Sequence, residues 1–561
     1  MTRRTLPGIG VSPGFAGGPV ARLGRPPVLP SVRPAAREAH VEIDRALAAL
    51  EAVAADLDTR AAQCALPDAA AVLGATAMIA RDSMLAETLT AKVGHGLPAA
   101  WAVDAAIAEH RDVLVRIGGY IGERASDLDD VRDRAVALLL GEPMPGVPDL
   151  PHPYVLVADD LAPADTATLV PGRVVALVTM RGGPTSHTAI LARALGLPAI
   201  VACTAAAELR DGQLVVVDGS EGTVVPDAST EEVREAGVRE RRRRAARSAF
   251  TGPGRTRDGV GVKLLLNIGN PSEATAMDGV GAEGVGLFRT EFLYLGRESA
   301  PTVEDQQQSY EDLLAIADGR RVVIRTLDAG SDKPLAFLSQ ADEANPALGT
   351  RGFRTSWRSP GILRDQLQAL GNALKASRGA TDLWVMAPMI ATPGEADEFA
   401  RMARGHGLST VGAMIEIPAA ALRAVQIGGV ADFLSLGTND LAQYTFAADR
   451  MDGSLAHLLD HWQPALLELI GIAAASSQVT GKPVGVCGES AADPALAVVL
   501  AGLGVTSLSM SPHAIADVRA SLASVTMEEC RTIARAAVAA EDAASARALV
   551  AQALAHAPGV A

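Results

Sequence analysis

Apolar residues follow two rhythms along this chain. From about Ala35 to Gly141, Ala, Leu and Val recur at steps of three and four between charges, as in "EIDRALAALEAVAADL". That period places apolar side chains on one stripe of a helix. At least four helices fit this stretch, broken at "ALPDA" and "GHGLPAA" and closed by the prolines of "GEPMPGVPDLPHP". On either side the rhythm becomes short continuous apolar runs: "GGPVARL" before it, then "YVLVADDL", "VVALVTM" and "QLVVVDGSEGTVV". Runs of this length bounded by glycine, proline and acidic residues predict strands. The pattern predicts a small α/β domain built from residues 1–34 and 142–228, with the helical block 35–141 inserted into it.

The next segment, "STEEVREAGVRERRRRAARSAF", carries acids first and bases later, the polarity that a helix dipole favours. Its arginine run is compatible with an RNA or membrane patch, but the solvated face of a connecting helix accounts for it more simply. Residues 229–255 are therefore read as a helical linker. Beyond it, in residues 256–561, come eight apolar runs separated by helix-like stretches: "VKLLLNI", "GVGLFRTE", "VVIRTLD", "LWVMAPMI", "VGAMIEIP", "FLSLGTND", "PVGVCGES" and "SLSMSP". Eight strands alternating with helices predict a (β/α)8 barrel of the TIM type.

Composition supports a folded multidomain chain. Its 561 residues exceed one ordinary core, with 48% hydrophobic and 20% charged residues, and aromatics at only 3% leave the cores to Ala, Val, Leu and Ile. A net charge of -15 argues against general nucleic-acid binding. Cys64, Cys203, Cys487 and Cys530 are too scattered for a disulfide framework or a zinc cage, which fits a reducing cytoplasm. No secretory signal is evident at Met1 to Val11, and no apolar run approaches the roughly 20 residues that cross a bilayer.

Most of the barrel runs end in a polar residue, and in such barrels the strand C-termini form the active-site face. These ends supply Asn267, Arg289, Glu291, Arg325, Asp328, Glu416, Asn439, Asp440, Cys487 and Glu489. Arg351 and Arg354 follow the third run, and Arg450 follows the sixth. Guanidinium forks bind phosphate and carboxylate, and two carboxylates on neighbouring strands can hold a hard cation such as Mg²⁺. The implied ligand is a small, multiply charged anion, although a single Arg–Glu pair at a rim is more often a structural ion pair. Cys487 lies between Val486 and Gly488 at a strand end. A buried cysteine is commonly an apolar filler, but this position suits an acid or a nucleophile.

In the smaller domain, "GGPTSHTAILARALG" puts His187 in the first turn of a short helix behind Gly182 and Gly183. Thr185 or Ser186 can cap that helix, Ile190, Leu191, Ala194 and Leu195 form its buried face, and Gly196 stops it. A helix N-terminus favours negative charge, so it suits a neutral imidazole that accepts a phosphoryl group better than a protonated one. An anion-binding barrel and a nucleophilic histidine on a separate domain together suggest a phosphoryl relay.

Nine motifs in order, "GIGVSPGFAGGPV", "LAPADTATL", "GGPTSHTAILAR", "GVGLFRTEFLY", "RTLDAGSDK", "NPALGTRGFR", "IEIPAA", "FLSLGTNDLAQYTFAADR" and "VCGES", span nearly the whole chain. They resemble enzyme I of the bacterial phosphoenolpyruvate:sugar phosphotransferase system. The resemblance implies that His187 is phosphorylated and that Thr166 steadies its ring. It implies that Arg289, Arg325, Arg351 and Arg450 clamp phosphoenolpyruvate, and that Asn439 contacts the phosphate through its backbone. Glu416 and Asp440 would ligate Mg²⁺, and Cys487 would protonate the enolate carbon to release pyruvate. The helical block would receive the phosphocarrier HPr, with Met78, Ile79, Leu85 and Arg124 as candidate contacts, and the barrel domain would form a homodimer. Two other readings share these parts: a dikinase-like relay, which also needs an ATP-grasp domain that no glycine-rich loop here suggests, and a regulator that only senses phosphoenolpyruvate.

Overall fold

The computed structural model describes residues 4–555 except 25, 64–66, 118–124, 143–144, 149, 162–168, 170–171, 184–187, 190–191, 193–194, 249–250, 295–296, 298, 331–334, 336, 339–342, 344, 378–381 and 450–452. Contacts divide the chain into two compact units, Met1–Arg241 and Arg242–Ala561. Among the described residues no helix is long and apolar enough to cross a membrane.

The first unit contains strands β1 (Leu6–Pro7), β2 (Ile9–Ser12), β3 (Phe15–Arg22), β4 (Tyr154–Ala158), β5 (Val174–Thr179), β6 (Ala199–Val201), β7 (Leu214–Asp218) and β8 (Thr223–Val225). They form one sheet in the order β1-β8-β7-β3-β4-β5-β6-β2. β3 pairs in parallel with β4, which is more than a hundred residues later in the chain, so the helices between them interrupt the sheet rather than precede it. Both faces of the sheet are covered. Val155, Val157 and Val178 pack on one side, and Leu156, Leu177 and Ala192 on the other, an alternation set by the two-residue period of a strand.

The helices Ala39–Gln63, Pro67–Ala80, Ser83–Gly94, Ala99–Ile117 and Ala125–Leu140 have a core of their own built around Leu57, Leu73, Leu89, Val103 and Val131. Helix Ser83–Gly94 shows how the sequence sets one element. Asp82 accepts the Met84 N–H at 2.7 Å as its N-cap, and Leu85, Leu89 and Val93, four apart, form its buried stripe.

Helix Thr230–Ser248 begins with Glu231 and Glu232, as its charge order predicts, but its basic run is not simply solvated. Arg239 stacks on the Phe15 ring at 3.9 Å, and the buried Glu240 accepts the Phe15 N–H at 3.1 Å. Gly17 is required beneath this helix, because a Cβ there would lie 3.0 Å from Val233 Cα.

The second unit is a closed barrel of parallel strands: β9 (Lys263–Ile268), β10 (Gly284–Arg289), β11 (Arg321–Arg325), β12 (Asp382–Ala387), β13 (Thr410–Ile415), β14 (Phe433–Leu436), β15 (Val484–Val486) and β16 (Ser507–Met510). β16 pairs with β9 to complete the ring. All eight apolar runs read from the sequence become barrel strands. Alternate residues split between two cores. Leu287, Val323, Met414 and Phe433 fill the interior, while Val322, Ile324 and Leu434 pack outward against the helices. The strands are therefore apolar on both faces, which explains the continuous runs. Capping boxes, Thr302 with Asp305 and Thr392 with Glu395, start two of the outer helices.

Candidate active site

At the C-terminal mouth of the barrel, neighbouring strand ends bring opposite charges together in the interior. Arg325, the last residue of β11, donates from Nη2 to Glu291 Oε1 at 2.8 Å and lies 3.2 Å from Asp328 through Nη1. Its Nε is buried with no hydrogen-bond partner among the described residues. Burial opposes the Arg325 charge, but Glu291, Asp328 and Glu416 around it raise its pKa further above the usual arginine range. Arg351 is completely buried and makes two forks. Nε and Nη2 each donate to Asp328 at 3.0 Å, while Nη1 and Nη2 donate to Asp440 at 2.9 and 3.1 Å. Tyr444 Oη lies 3.3 Å from Arg351 Nη1, one helical turn beyond Asp440. Arg351 thus neutralises two buried carboxylates in this arrangement rather than standing open to solvent.

Glu416 follows β13, and Asp440 lies in the first turn of helix Thr438–Phe446, which follows β14. These two strands are adjacent in the barrel. Glu416 Oε1 accepts the Met389 N–H at 2.6 Å, and Met389 holds a left-handed φ of 59° to offer it. Gly437 leaves room for the same carboxylate, since a Cβ there would sit 2.8 Å from Glu416 Oε2. Burial, then Asp440, then Asp328 push the Glu416 carboxyl up to about 7, with Arg325 and Arg351 offsetting part of the shift. Buried carboxylates that repel one another in this way fit a hard divalent cation between Glu416 and Asp440. Among the described residues no group of three or more protein ligands forms a complete cage, so such an ion would take further oxygens from substrate or water.

Asn439 occupies the second position of helix Thr438–Phe446, where the backbone N–H has no intrahelical acceptor, and its Oδ1 accepts the Glu489 N–H at 3.2 Å. Cys487, just beyond β15, is buried. Ser435 Oγ donates to its Sγ at 3.2 Å, and the Sγ lies 3.5 Å from Leu436 O. Burial raises the Cys487 thiol pKa, while the Ser435 bond and Arg325 pull it part of the way back, so the group stays a protonated thiol near neutral pH. Arg289 at the end of β10 is exposed and close enough to act electrostatically on that thiol. Asn267 ties strands together, donating to Cys487 O at 3.0 Å and Ser509 O at 3.1 Å. Arg354 stands apart from the cluster, 3.4 Å from Glu395.

Four of the sequence-predicted residues, His187, Thr166, Arg450 and Arg124, lie outside the described residues, as do Thr185, Ser186, Ile190, Leu191 and Ala194. Around His187, Gly182 has φ 94° and Gly196 has φ 62°, left-handed turns that suit glycine on both sides of the motif. Thr188 and Ala189 are buried, and Thr188 Oγ1 donates to Asp160 Oδ1 at 3.4 Å. In the helical block, Met78 is 69% exposed and Ile79 is half-buried, whereas Leu85 is only 2% exposed. Leu85 belongs to the stripe that packs its own helix, so it offers no surface to a partner. Met84, 66% exposed, is its outward-facing neighbour.

The sequence matches three families in succession: "PEP-utilising enzyme, N-terminal" over residues 7–124, "PEP-utilising enzyme, mobile domain" over 150–222 and "PEP-utilising enzyme, PEP-binding domain" over 243–527. A phosphoenolpyruvate-protein phosphotransferase of Streptomyces coelicolor is 51% identical over 547 residues, covering 97% of this chain and 98% of that one. The protein of the same name from Haloferax volcanii is 39% identical, covering 95% of this chain and 96% of that one. The one from Geobacillus stearothermophilus is 36% identical, covering 95% of each. This chain belongs to the phosphoenolpyruvate-protein phosphotransferase family.

Within this family member, Met389, Gly437, Tyr444 and Gly488 pack around the candidate residues and were not singled out from the sequence. Tyr444 was within reach of sequence reasoning, since it stands four residues after Asp440 in a helical pattern. Gly488 is pressed against the start of helix Thr438–Phe446, where a Cβ would come within 2.7 Å of Thr438 N. The left-handed φ of Met389 has no signature in residue type.

Proposed function

We propose that this chain transfers the phosphoryl group of phosphoenolpyruvate to His187 and then to the histidine of HPr, releasing pyruvate at the first step of sugar phosphotransfer. The observation that carries this reading is the mouth cluster, in which Glu416 and Asp440 on adjacent strand ends stand beside the buried, partly unpartnered Arg325. Arg289, Arg325 and Arg450 would meet the substrate phosphate and carboxylate, joined by the helix N-terminal N–H of Asn439. Arg351 would reach the substrate only by giving up part of its hold on Asp328 and Asp440. Bound between Glu416 and Asp440, Mg²⁺ would neutralise charge on the phosphate and carboxylate oxygens.

The P–O bond to the enol breaks as a P–N bond to the His187 ring forms, with Thr166 steadying the ring. The enolate carbon then takes the proton of the neutral Cys487 thiol, and the product is pyruvate. A mouth already lined with opposed charges suits this transfer, because positioning and charge neutralisation supply most of the catalysis of phosphoryl transfer. The exposed Met78 with Ile79 supports the helical block as the HPr-docking part, to which Arg124 would also contribute. The exposed apolar side chains Leu422, Val425, Ile472 and Val479 on barrel helices support self-association through the barrel.

Mixing the chain with Mg²⁺, ³²P-phosphoenolpyruvate and HPr tests the reading. The expected result is label on HPr and one pyruvate for each label transferred. A chain that only senses phosphoenolpyruvate would return it unchanged and leave HPr unlabelled.

A further inference from the structure

Cys487, buried below the mouth, also borders an interior cavity on the N-terminal side of the barrel. Inside the barrel lies a cavity of about 20 Å³, lined from Arg321, Pro483 and Ser507 at the strand N-termini to Ser435 and Cys487. That volume has room for a water molecule. Small residues create the space. A Cβ on Gly485 would meet Ser507 Oγ at 2.5 Å, and one on Gly286 would meet Ser509 Oγ at 2.5 Å. Ser435 is 6% exposed, faces this cavity and donates to Cys487 Sγ at 3.2 Å. Its position at the third residue of β14 puts it on the inward-facing side, between the substrate mouth and the cavity, where it, Ser507 and Ser509 are hydroxyl groups in a lining otherwise largely apolar.

Each turnover consumes one proton at the enolate carbon. If Cys487 supplies it, the sulfur is left as a buried thiolate that must be recharged while the mouth is filled by product and charged side chains. We propose that Ser435 positions Cys487 and returns its proton through the interior cavity, from the N-terminal side of the barrel rather than from the mouth. The inference rests on the reading of Cys487 as the proton donor.

The step balances as follows. The S–H bond breaks as the C–H bond of pyruvate forms, and the electron pair stays on sulfur. The Ser435 hydroxyl, already aimed at sulfur, stabilises the thiolate and passes it a proton. The Ser435 oxygen takes a proton in turn from water in the cavity, and bulk water restores that one. The charged groups facing the thiol are Arg325 from β11 and Arg289 from β10, which favour the thiolate, and Glu416 from beyond β13, which opposes it. None of these three lines the cavity, whereas Ser435 lines it and its hydroxyl is hydrogen-bonded to the sulfur.

The test compares full-length wild type, Ser435→Ala, Ser435→Thr, Gly485→Ala and Cys487→Ala in steady-state pyruvate formation across pH, with HPr in excess. Ser435→Ala should lower kcat about tenfold, the scale of one lost hydrogen bond to a charged atom. KM for phosphoenolpyruvate should stay unchanged, and the alkaline limb of the kcat profile should move to higher pH because the thiolate has lost a donor. Ser435→Thr should restore both. Gly485→Ala, which fills the cavity away from the mouth, should lower kcat at constant KM even if Ser435→Ala fails to fold. Wild-type kcat and pH profile in Ser435→Ala, or wild-type kcat in Gly485→Ala, would overturn the proton path. Wild-type kcat in Cys487→Ala would instead overturn the assignment of the thiol beneath it.

Discussion

Arg351 and Glu416 dominate the residue scale. Arg351 is wholly buried between Asp328 and Asp440, so truncating it removes both of its forks and leaves interior carboxylate charge less compensated, with Arg325 still beside Asp328. Arg351→Ala should therefore cost about 3–5 kcal/mol of barrel stability in denaturant titrations, and Arg351→Lys, which keeps charge but not the double fork, should cost less. Glu416 gives a pH signature in the metal-free protein. Its folded pKa of about 7 lies above the ordinary value of 4.5, so the folded state holds the extra proton between those two limits. Stability due to this group is full below the lower value and is lost as pH rises through the upper one. Glu416→Gln should match wild type near pH 4.5 and gain a thermal-stability advantage that reaches full size above pH 7, measured in chelator. An advantage that is flat across pH would contradict the burial and repulsion described for this carboxyl. Residue types and their places at strand ends were legible in the sequence here. The commitment of Arg351 to two acids was not, because the partners of a buried arginine depend on which loops fold over it.

Elements explain why the rest of the site was only partly readable. Parallel strands buried on both faces leave continuous apolar runs, so all eight barrel strands stood out, and the alternation of Val322 and Val323 between two cores needs no further signal. Close approaches between elements leave a weaker trace. Gly488 reads as one glycine among many, yet its missing Cβ is what lets helix Thr438–Phe446 begin where it does, with Asn439 and Asp440 aimed into the mouth. Gly488→Ala should push that helix start outward and reduce kcat/KM at least tenfold, with a smaller effect on unfolding, since displacing a positioned group by a fraction of an ångström is costly to catalysis. Unchanged kcat/KM would mean that the helix start tolerates displacement. Leu85 teaches the reverse lesson. Its apolar character in an amphipathic helix suited a docking surface as well as a core, and only the packing of Leu85, Leu89 and Val93 on one stripe decided for the core.

For the whole molecule, the decisive feature is the division of chemistry between two units. The barrel-mouth cluster proposed to bind phosphoenolpyruvate belongs to Arg242–Ala561, and His187, the proposed acceptor, belongs to Met1–Arg241. The change from helical to strand rhythm in the sequence matches the order of helices and strands along the chain. A fragment of residues 242–561, which carries its own hydrophobic core, should bind phosphoenolpyruvate and Mg²⁺ in calorimetry yet release no pyruvate, because it holds the donor site without the acceptor ring. Pyruvate release by that fragment would place the acceptor elsewhere. The most direct measurement is to locate the phosphoryl group itself. Incubation of the full chain with Mg²⁺ and ³²P-phosphoenolpyruvate, followed by peptide mapping under alkaline conditions, should give one acid-labile label per chain, on His187, with one pyruvate released for each. His187→Ala should take up none, and label that persisted in that variant, or that mapped to another residue, would contradict the account.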